Sequence, residues 1–433
     1  MEIFADLHIH SKYSRACSKD LTLENIEKWA RIKGLNLVGT GDFTHPEWIK
    51  ELKRNLIDNG TGIFQTQTGF NFILQSEISL IYSQGGRGRR IHLLMFAPSF
   101  NSVDKITKFL LTRGRIDYDG RPIFKIPCYE FVKELKKIDQ NIEIIPAHIW
   151  TPWFSMFGSK GGFNSIKECF KDQTKHIKAY ETGISSDPAM NWRVPDLDGL
   201  TPISNSDTHS FWPWRLGREA NVLELEKLTY KNLFKAIYTK KGFKYTIEVD
   251  PNYGKYHIDG HRKCNFCSYP EQTKKLRGIC PICKKPMVIG VMGRVEELST
   301  RKSGYEPKNK IPYKTLLPLS DVLAYVSGKS QGTKTVWKLY NSLVTPKDGC
   351  HEFFVLLNMP EQEIKKRLLA NNIDKELINK IAENINKNRY GQISVEPGFD
   401  GDYGIPEIDK KNYGKPKAKV ILKNIQTGLE NFS

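Results

Sequence analysis

Apolar positions in the first 245 or so residues follow two alternating rhythms. Short apolar runs of strand length recur: "LNLVGTG", "FNFILQSEI", "RRIHLLMFAP", "IEIIPAHIW", "HIKAYETG" and "LTPISNSDTH". Between them lie stretches with helical spacing. In "TLENIEKWARIKG", Leu23, Ile26 and Ala30 fall on one face, Thr22 is placed to cap the helix and Gly34 to stop it. This alternation predicts an α/β domain whose parallel sheet closes, or nearly closes, into a barrel.

Beyond Asp250 the rhythm lapses. Residues 249–293 are basic, with Cys and Gly, and lack long periodic runs. From there to about Tyr390 helical patterns dominate, as in "LSDVLAYVSG", "TKTVWKLYNSLV" and "DKELINKIAENINKN". "ISVEPGFDGDYGIPEI" then reads as turns, and the chain closes on a basic tail. The division expected is a barrel over 1–248, a cysteine module over 249–293, a mainly helical region over 294–415 and a tail over 416–433.

With 433 residues, 39% of them hydrophobic, the chain has enough material for one large domain and smaller ones. Mean hydropathy is −0.48, and no apolar run has the length of a membrane span. Asp6, His8 and His10 stand where a secretory leader needs an apolar core, so the expectation is a cytoplasmic protein. The formal charge is +18. Up to Asp250 there are 35 Lys and Arg against 29 Asp and Glu, and after it 31 against 19. An excess concentrated in the shorter part favours polyanionic partners over small neutral ones.

Four of the eight cysteines form CxxC, twelve residues, CxxC: Cys264, Cys267, Cys280 and Cys283. Thiolates at that spacing close a tetrahedron around one structural zinc and leave no open position for catalysis. Cys17, Cys128, Cys169 and Cys350 are scattered and read as free thiols.

Polar residues recur where the strands end. His8 and His10 follow "EIFADL", Asp42 and His45 follow "LNLVGTG", Glu77 follows "FNFILQS", His148 follows "IEIIPA", and Asp207 and His209 follow "LTPISNS". His92 opens "IHLLMF". Residues i and i+2 on a strand share a face, so each such pair can hold one ion. These nine nitrogen and oxygen donors exceed what one tetrahedral ion takes, which implies a cluster of two or three divalent ions: zinc, manganese or magnesium. Arg87, Arg89 and Arg90, just before His92, are candidates for phosphate contact. Trp150, Trp153 and Phe154 follow His148, and Trp212, Trp214 and Arg215 follow His209. Aromatics beside arginines on a barrel rim suit base stacking. Arg193 in "ETGISSDPAMNWR" lies near the same rim by strand order, with Glu181, Ser185 and Asn191.

"DLHIH", "GDFTH", "SE", "PAH" and "SDTH", in this order, resemble the polymerase-and-histidinol-phosphatase (PHP) superfamily of metal-dependent phosphoesterases. The resemblance implies a distorted (β/α)7 barrel with a trinuclear site. His8, His10, Glu77 and Asp207 would hold one ion, Glu77, His92 and His148 the second, and His209 with a residue of "GDFTH" the third. Asp207, Glu77 and His148 would be the catalytic residues. The family usually has His directly after Asp42. Here Phe43 stands there and His45 follows two places on, so Cys17 or His45 would have to compensate.

Taken with the cysteine module and the helical part, "DLHIHSKYSRACSKDL", "VGTGDFTHPEW", "PAHIWTPWFSMFGS" and "SNSDTHS" resemble the endonuclease Q family across nearly the whole chain. That resemblance implies a monomeric, nucleoid-associated DNA-repair nuclease with a helical DNA-binding region. It would hydrolyse the phosphodiester 5′ to uracil, hypoxanthine, xanthine or an abasic site after flipping the lesion out. Gln426, Leu429 and Phe432 in "QTGLENFS" have the spacing of a box that binds the PCNA sliding clamp. The competing readings are a small-molecule phosphatase on the same barrel and a non-catalytic DNA-binding protein. The basic second half and the cysteine module speak against the first, and the near-complete donor set against the second.

Overall fold

The computed structural model describes residues 1–407 and 420–422. Thr22 accepts a hydrogen bond from the Asn25 N–H at the start of the helix Leu23–Lys33, and Gly34 ends it at φ 98°, as the spacing predicts. The strand Glu2–Asp6 lies inside an eight-stranded sheet. It pairs parallel with Leu37–Gly39 on one side and antiparallel with Ala220–Glu224 on the other. Ile3, Ala5 and Leu7 pack into one apolar cluster and Phe4 into another, so this strand is buried on both faces. Leu37–Gly39 pairs parallel in turn with Asn71–Ile73.

Parallel pairing is only part of the architecture, which corrects the expectation of a parallel sheet throughout. Gln75–Gln84 and Arg87–Phe96 form a long antiparallel hairpin, flanked by Ile123–Phe124 and Glu143–Pro146 in a four-stranded sheet. The cause is local. Gly85 and Gly86 both take positive φ, 62° and 70°, and a two-residue turn of that hand matches strand twist, so the chain returns at once without a crossover helix. Ala179–Glu181 and Thr201–Ile203 form a separate parallel pair. The fold class is mixed α/β.

The cysteine module begins with the hairpin Asp259–His261 and Phe266–Ser268, to which Val420–Leu422 adds a parallel strand. The helix Val291–Leu298 then turns back onto the α/β part, where the Arg294 guanidinium donates to the carbonyls of Phe157 and Phe163 at 2.8 and 2.9 Å. Tyr313–Thr315 rejoins the eight-stranded sheet beside Phe243–Glu248. Only past Leu316 does the chain enter a helical body of its own. Its helices, from Leu319–Ser327 to Lys375–Arg389, enclose an apolar cluster that includes Leu323, Leu339, Ile364 and Ile381. A buried ion pair fastens this body to the first helix, with Lys33 Nζ 2.7 Å from Glu352 Oε1. No helix among the described residues is long and apolar enough to cross a membrane.

Candidate metal centre and adjoining cavity

Glu77 is the pivot of the site. It is fully buried on Gln75–Gln84, and in the antiparallel register Ser79 faces His92. Glu77 and His92 are thus diagonal neighbours on one face of the hairpin. Oε1 of Glu77 lies 2.8 Å from His92 Nδ1 and 3.0 Å from His148 Nε2. Oε2 faces the other way, 3.4 Å from His10 Nε2 and 3.8 Å from His8 Nε2. Asp207 Oδ1 completes that side at 3.1 Å from His10 Nε2 and 3.5 Å from His8 Nε2. His8, His10, Glu77 and Asp207 form one donor set, and Glu77, His92 and His148 a second, each with its donor atoms within 4.8 Å of one another. A carboxylate shared between two such sets can bridge two ions.

Further groups aim these donors. His8 Nδ1 lies 3.0 Å from Glu181 Oε1, while its buried Nε2 has no hydrogen-bond partner. An imidazole held at one nitrogen by a carboxylate and left with a naked, buried second nitrogen is built to ligate. Glu181 also accepts from the His148 backbone N–H at 2.7 Å and from Asn205 Nδ2 at 2.9 Å. His10 Nδ1 lies 3.0 Å from Asp42 Oδ1, and the other oxygen of Asp42 accepts from the Ser11 and Ser14 hydroxyls.

The electrostatics follow from crowding opposite charges out of water. Burial opposes charge on His8, yet the carboxylates of Glu181, Asp207 and Glu77 raise its pKa well above the usual imidazole value. Glu77 is driven well below the carboxylate range because His92, Arg121 and His8 outweigh its burial. Asp207 goes the same way, burial being overcome by His8, His10 and His209. His92 falls to about 4, chiefly from burial. Asp42, His148 and Asp207 hold left-handed φ values of 46°, 28° and 46°, a conformation that costs non-glycine residues energy and clusters at functional sites. Gly183 must be glycine here, since a Cβ would stand 2.8 Å from that of His148.

The other residues singled out in the sequence take these positions. Asp42 orients His10 from behind and is in neither donor set. His45 stacks on Tyr13 with ring centroids 4.3 Å apart, precedes the helix Pro46–Asn55 and is in neither donor set. His209 stands 4.7 Å from the His10 ring, with Nδ1 turned to the Asp207 carbonyl. Among the described residues no third set gathers around it. Trp150 is 1% exposed, its indole N–H donating to Asn191 Oδ1, which makes it core. Arg193 is spent on Glu296 at 2.6 Å. The Arg89 guanidinium lies over the Phe163 ring and donates to the Gly162 carbonyl, while Arg87 and Arg90 are exposed. Phe154 packs on His92, Trp153 meets Tyr256, and Trp212 and Trp214 stack on each other with the Trp337 ring of the helical body tilted against both. Cys264, Cys280 and Cys283 come together with His261, whereas Cys267 packs with Ile258 and Phe399. Gln426, Leu429 and Phe432 lie outside the described residues.

Sequence reasoning missed Arg121, whose Nη1 donates to Glu77 Oε2 at 2.9 Å. Nothing in "DGRPIF" marks it, because the contact is made across the fold. It also missed Lys255 and Tyr403 on the far wall of a cavity of about 430 Å3 that opens beside Asp207 and His148. Arg215, Arg218, Lys255 and Tyr403 line that wall. Arg215 Nη1 donates to the Tyr403 hydroxyl at 2.9 Å. Burial raises the pKa of that phenol, but Arg218, Arg215 and Lys255 bring it down to about 8.

Fold and site define an α/β protein with a candidate polynuclear metal centre built from histidine and carboxylate, open to a cationic cavity. No family model matches the chain. The uncharacterized protein YqxK of Bacillus subtilis is 30% identical over 423 residues, 93% of this chain and 98% of that protein. The uncharacterized protein MJ0043 of Methanocaldococcus jannaschii is 35% identical over 300 residues, 67% of this chain but 34% of that longer protein. The lesion-specific endonuclease PfuEndoQ of Pyrococcus furiosus matches at TM-score 0.81 and 32% identity over 97% of this chain and 98% of its own. Endonuclease Q in complex with a 27-mer duplex carrying an abasic lesion at the active site matches at TM-score 0.82 and 31% identity, over 97% and 99%. The chain belongs to the endonuclease Q family.

Proposed function

We propose that this protein is a DNA-repair endonuclease that hydrolyses the phosphodiester 5′ to deaminated bases and abasic sites. The observation that carries the reading is the placement of Glu77 between two histidine sets, directly beside a cavity walled by Arg215, Lys255 and Tyr403. The abasic lesion at the active site of the endonuclease Q complex supports it. We read the separate sheets as arcs of one distorted (β/α)7 PHP barrel whose strand ends converge on this site.

The donors fit divalent ions, as the partnerless buried Nε2 of His8 indicates. When bound, such ions supply Lewis acidity and charge neutralisation for phosphoryl transfer. The chain's own groups do the rest. Glu181 and Asp42 hold the His8 and His10 rings at their Nδ1 atoms, so both Nε2 atoms face the centre. Arg121 offsets carboxylate charge at Glu77. In the cavity, Arg215 and Lys255 meet a phosphate or the polar edge of an extruded base, and Tyr256 and Tyr403 line the same wall. Among the rim aromatics, the half-buried Trp153, Trp212 and Trp214 remain candidates for stacking. The reading includes a monomer at the nucleoid and a sliding-clamp contact through the tail.

The test is a duplex with a single deoxyuridine, deoxyinosine or abasic site, incubated with divalent metal. One nick on the 5′ side of the lesion is the expected product. Equal cutting of undamaged duplex, or release of phosphate from small monoesters at a higher rate, would overturn the reading in favour of a general nuclease or a phosphatase.

A further inference from the structure

A second cleft, of about 530 Å3, lies between the tip of the long hairpin, the loop that follows His148 and the helix Val291–Leu298. Arg87, Arg89, Lys160 and Arg294 bring four cations to its wall against one carboxylate, Glu297. Glu297 is spent on Arg294, 2.7 Å away. Arg87 and Lys160 are exposed, and neither has an ion-pair partner among the described residues. The backbone of the loop 158–162, Gly-Ser-Lys-Gly-Gly, adds donors to these charges. Arg89 takes the Gly162 carbonyl, and Arg294 takes those of Phe157 and Phe163 on either side of the loop. The Ser159 hydroxyl donates to the Ile289 carbonyl at 2.8 Å. The N–H groups of Gly158, Lys160 and Gly162 go to the carbonyls of Ser155, Pro152 and Gly158. Those of Ser159 and Gly161 have no partner among the described residues, and both residues line the cleft. Gly161 takes φ 139°, and Gly88 beside it has open space where a Cβ would stand, so the backbone is bare there.

We propose that this cleft seats a phosphate of the DNA backbone, away from the scissile one, on Arg87, Lys160 and the unpaired N–H groups of Ser159 and Gly161. Unpaired backbone N–H groups on a bent loop, beside cations, make a site for an anion. The lining has no aromatic ring and a single aliphatic side chain, Ile289, so it offers nothing on which a base could stack. A contact of this kind positions the duplex and reads no sequence.

Both walls of the cleft run on into the metal centre. Gly88 and His92 lie four residues apart on the strand Arg87–Phe96, a span of about 14 Å at the rise of an antiparallel strand. One strand of B-form DNA carries a phosphate every 3.4 Å or so of helix axis, which puts the cleft about four nucleotides from the centre. Thr151, upstream in the same loop, lines the cavity beside the centre, with Oγ1 3.2 Å from His148 Nδ1. The assignment rests on the endonuclease reading and adds to it a second point at which the duplex is held.

The experiment follows binding of the full-length protein to an undamaged duplex by fluorescence anisotropy as salt is raised. Arg87→Ala with Lys160→Ala should lower the slope of log affinity against log salt by about 1, so that the wild type's advantage shrinks about 3-fold between about 50 and 200 mM salt. Arg87→Lys with Lys160→Arg keeps both charges and should keep the slope. Lys231→Ala with Lys235→Ala removes two exposed lysines from the helix Tyr230–Thr239 and should also leave it at the wild-type value. An unchanged slope in the first variant, or an equal fall in the last, would overturn the assignment, since only diffuse charge would then act. Binding of inorganic phosphate that the first variant loses, with duplex binding equal to the wild type, would give the cleft to free phosphate and overturn it as well. A wild type that shows the expected slopes yet leaves an abasic duplex uncut would sink the endonuclease reading and leave the cleft standing.

Discussion

Glu181 shows how much of the metal centre depends on residues that need not touch a metal. It holds His8 at Nδ1 and the His148 backbone at N–H, one residue from each donor set. Replacing Glu181 by Gln keeps a hydrogen-bonding side chain and removes the charge that sets the His8 ring. Loss of such supporting groups costs about 10–100-fold in metal affinity or activity. Glu77→Gln removes the carboxylate shared by the two donor sets and should abolish nicking while duplex binding persists. Metal content and single-turnover nicking of the abasic duplex measure both variants. Wild-type metal uptake by Glu181→Gln would show that Glu181 is not needed to orient His8.

At the scale of elements, the first helix has two roles. Its apolar face, Leu23, Ile26 and Ala30, packs in the α/β core, and its last residue, Lys33, reaches the helical body. Glu352 answers Lys33 and also accepts from the Leu319 N–H and the Tyr340 hydroxyl, so one carboxylate serves three elements. Glu352→Ala leaves the Lys33 ammonium buried and unpaired, which costs about 3–5 kcal/mol. The expected result is early loss of the helical body in urea, followed by tryptophan fluorescence, because Trp337 packs across that boundary against Trp212. A single transition at the wild-type midpoint would contradict it.

In the whole molecule the three parts meet around Asp321. Its carboxyl is fully buried between Tyr253, whose hydroxyl donates at 3.2 Å, and the charges of Arg215, Lys33 and Glu352. Burial dominates and raises its pKa from 3.8 to about 7. A carboxyl whose folded value exceeds its unfolded one contributes stability that is complete below pH 3.8 and is lost as pH rises through about 7. Asp321→Asn should therefore flatten the fall in stability between those limits and exceed the wild type at pH 8 by about 1 kcal/mol or more. Denaturation at pH 5 and pH 8 reads the difference. Equal pH slopes in the two proteins would place the carboxyl in a wetter site than the structure gives it.

The amino-acid pattern alone determined what is local. Thr22 and Gly34 bounded a helix because capping needs only neighbours in the chain. His8, His10, Glu77, His92, His148 and Asp207 stood out as candidate donors because imidazole and carboxylate recur at strand ends, and all six lie in the two candidate donor sets. Which face a residue presents was settled by pairing with distant strands. That pairing brought His261 to the cysteine cluster, moved Asp42 behind His10, buried Trp150, and delivered Arg121 to Glu77 and Tyr403 to Arg215. A strand carries side chains on both faces with equal ease, and only the register and the packed core choose between them.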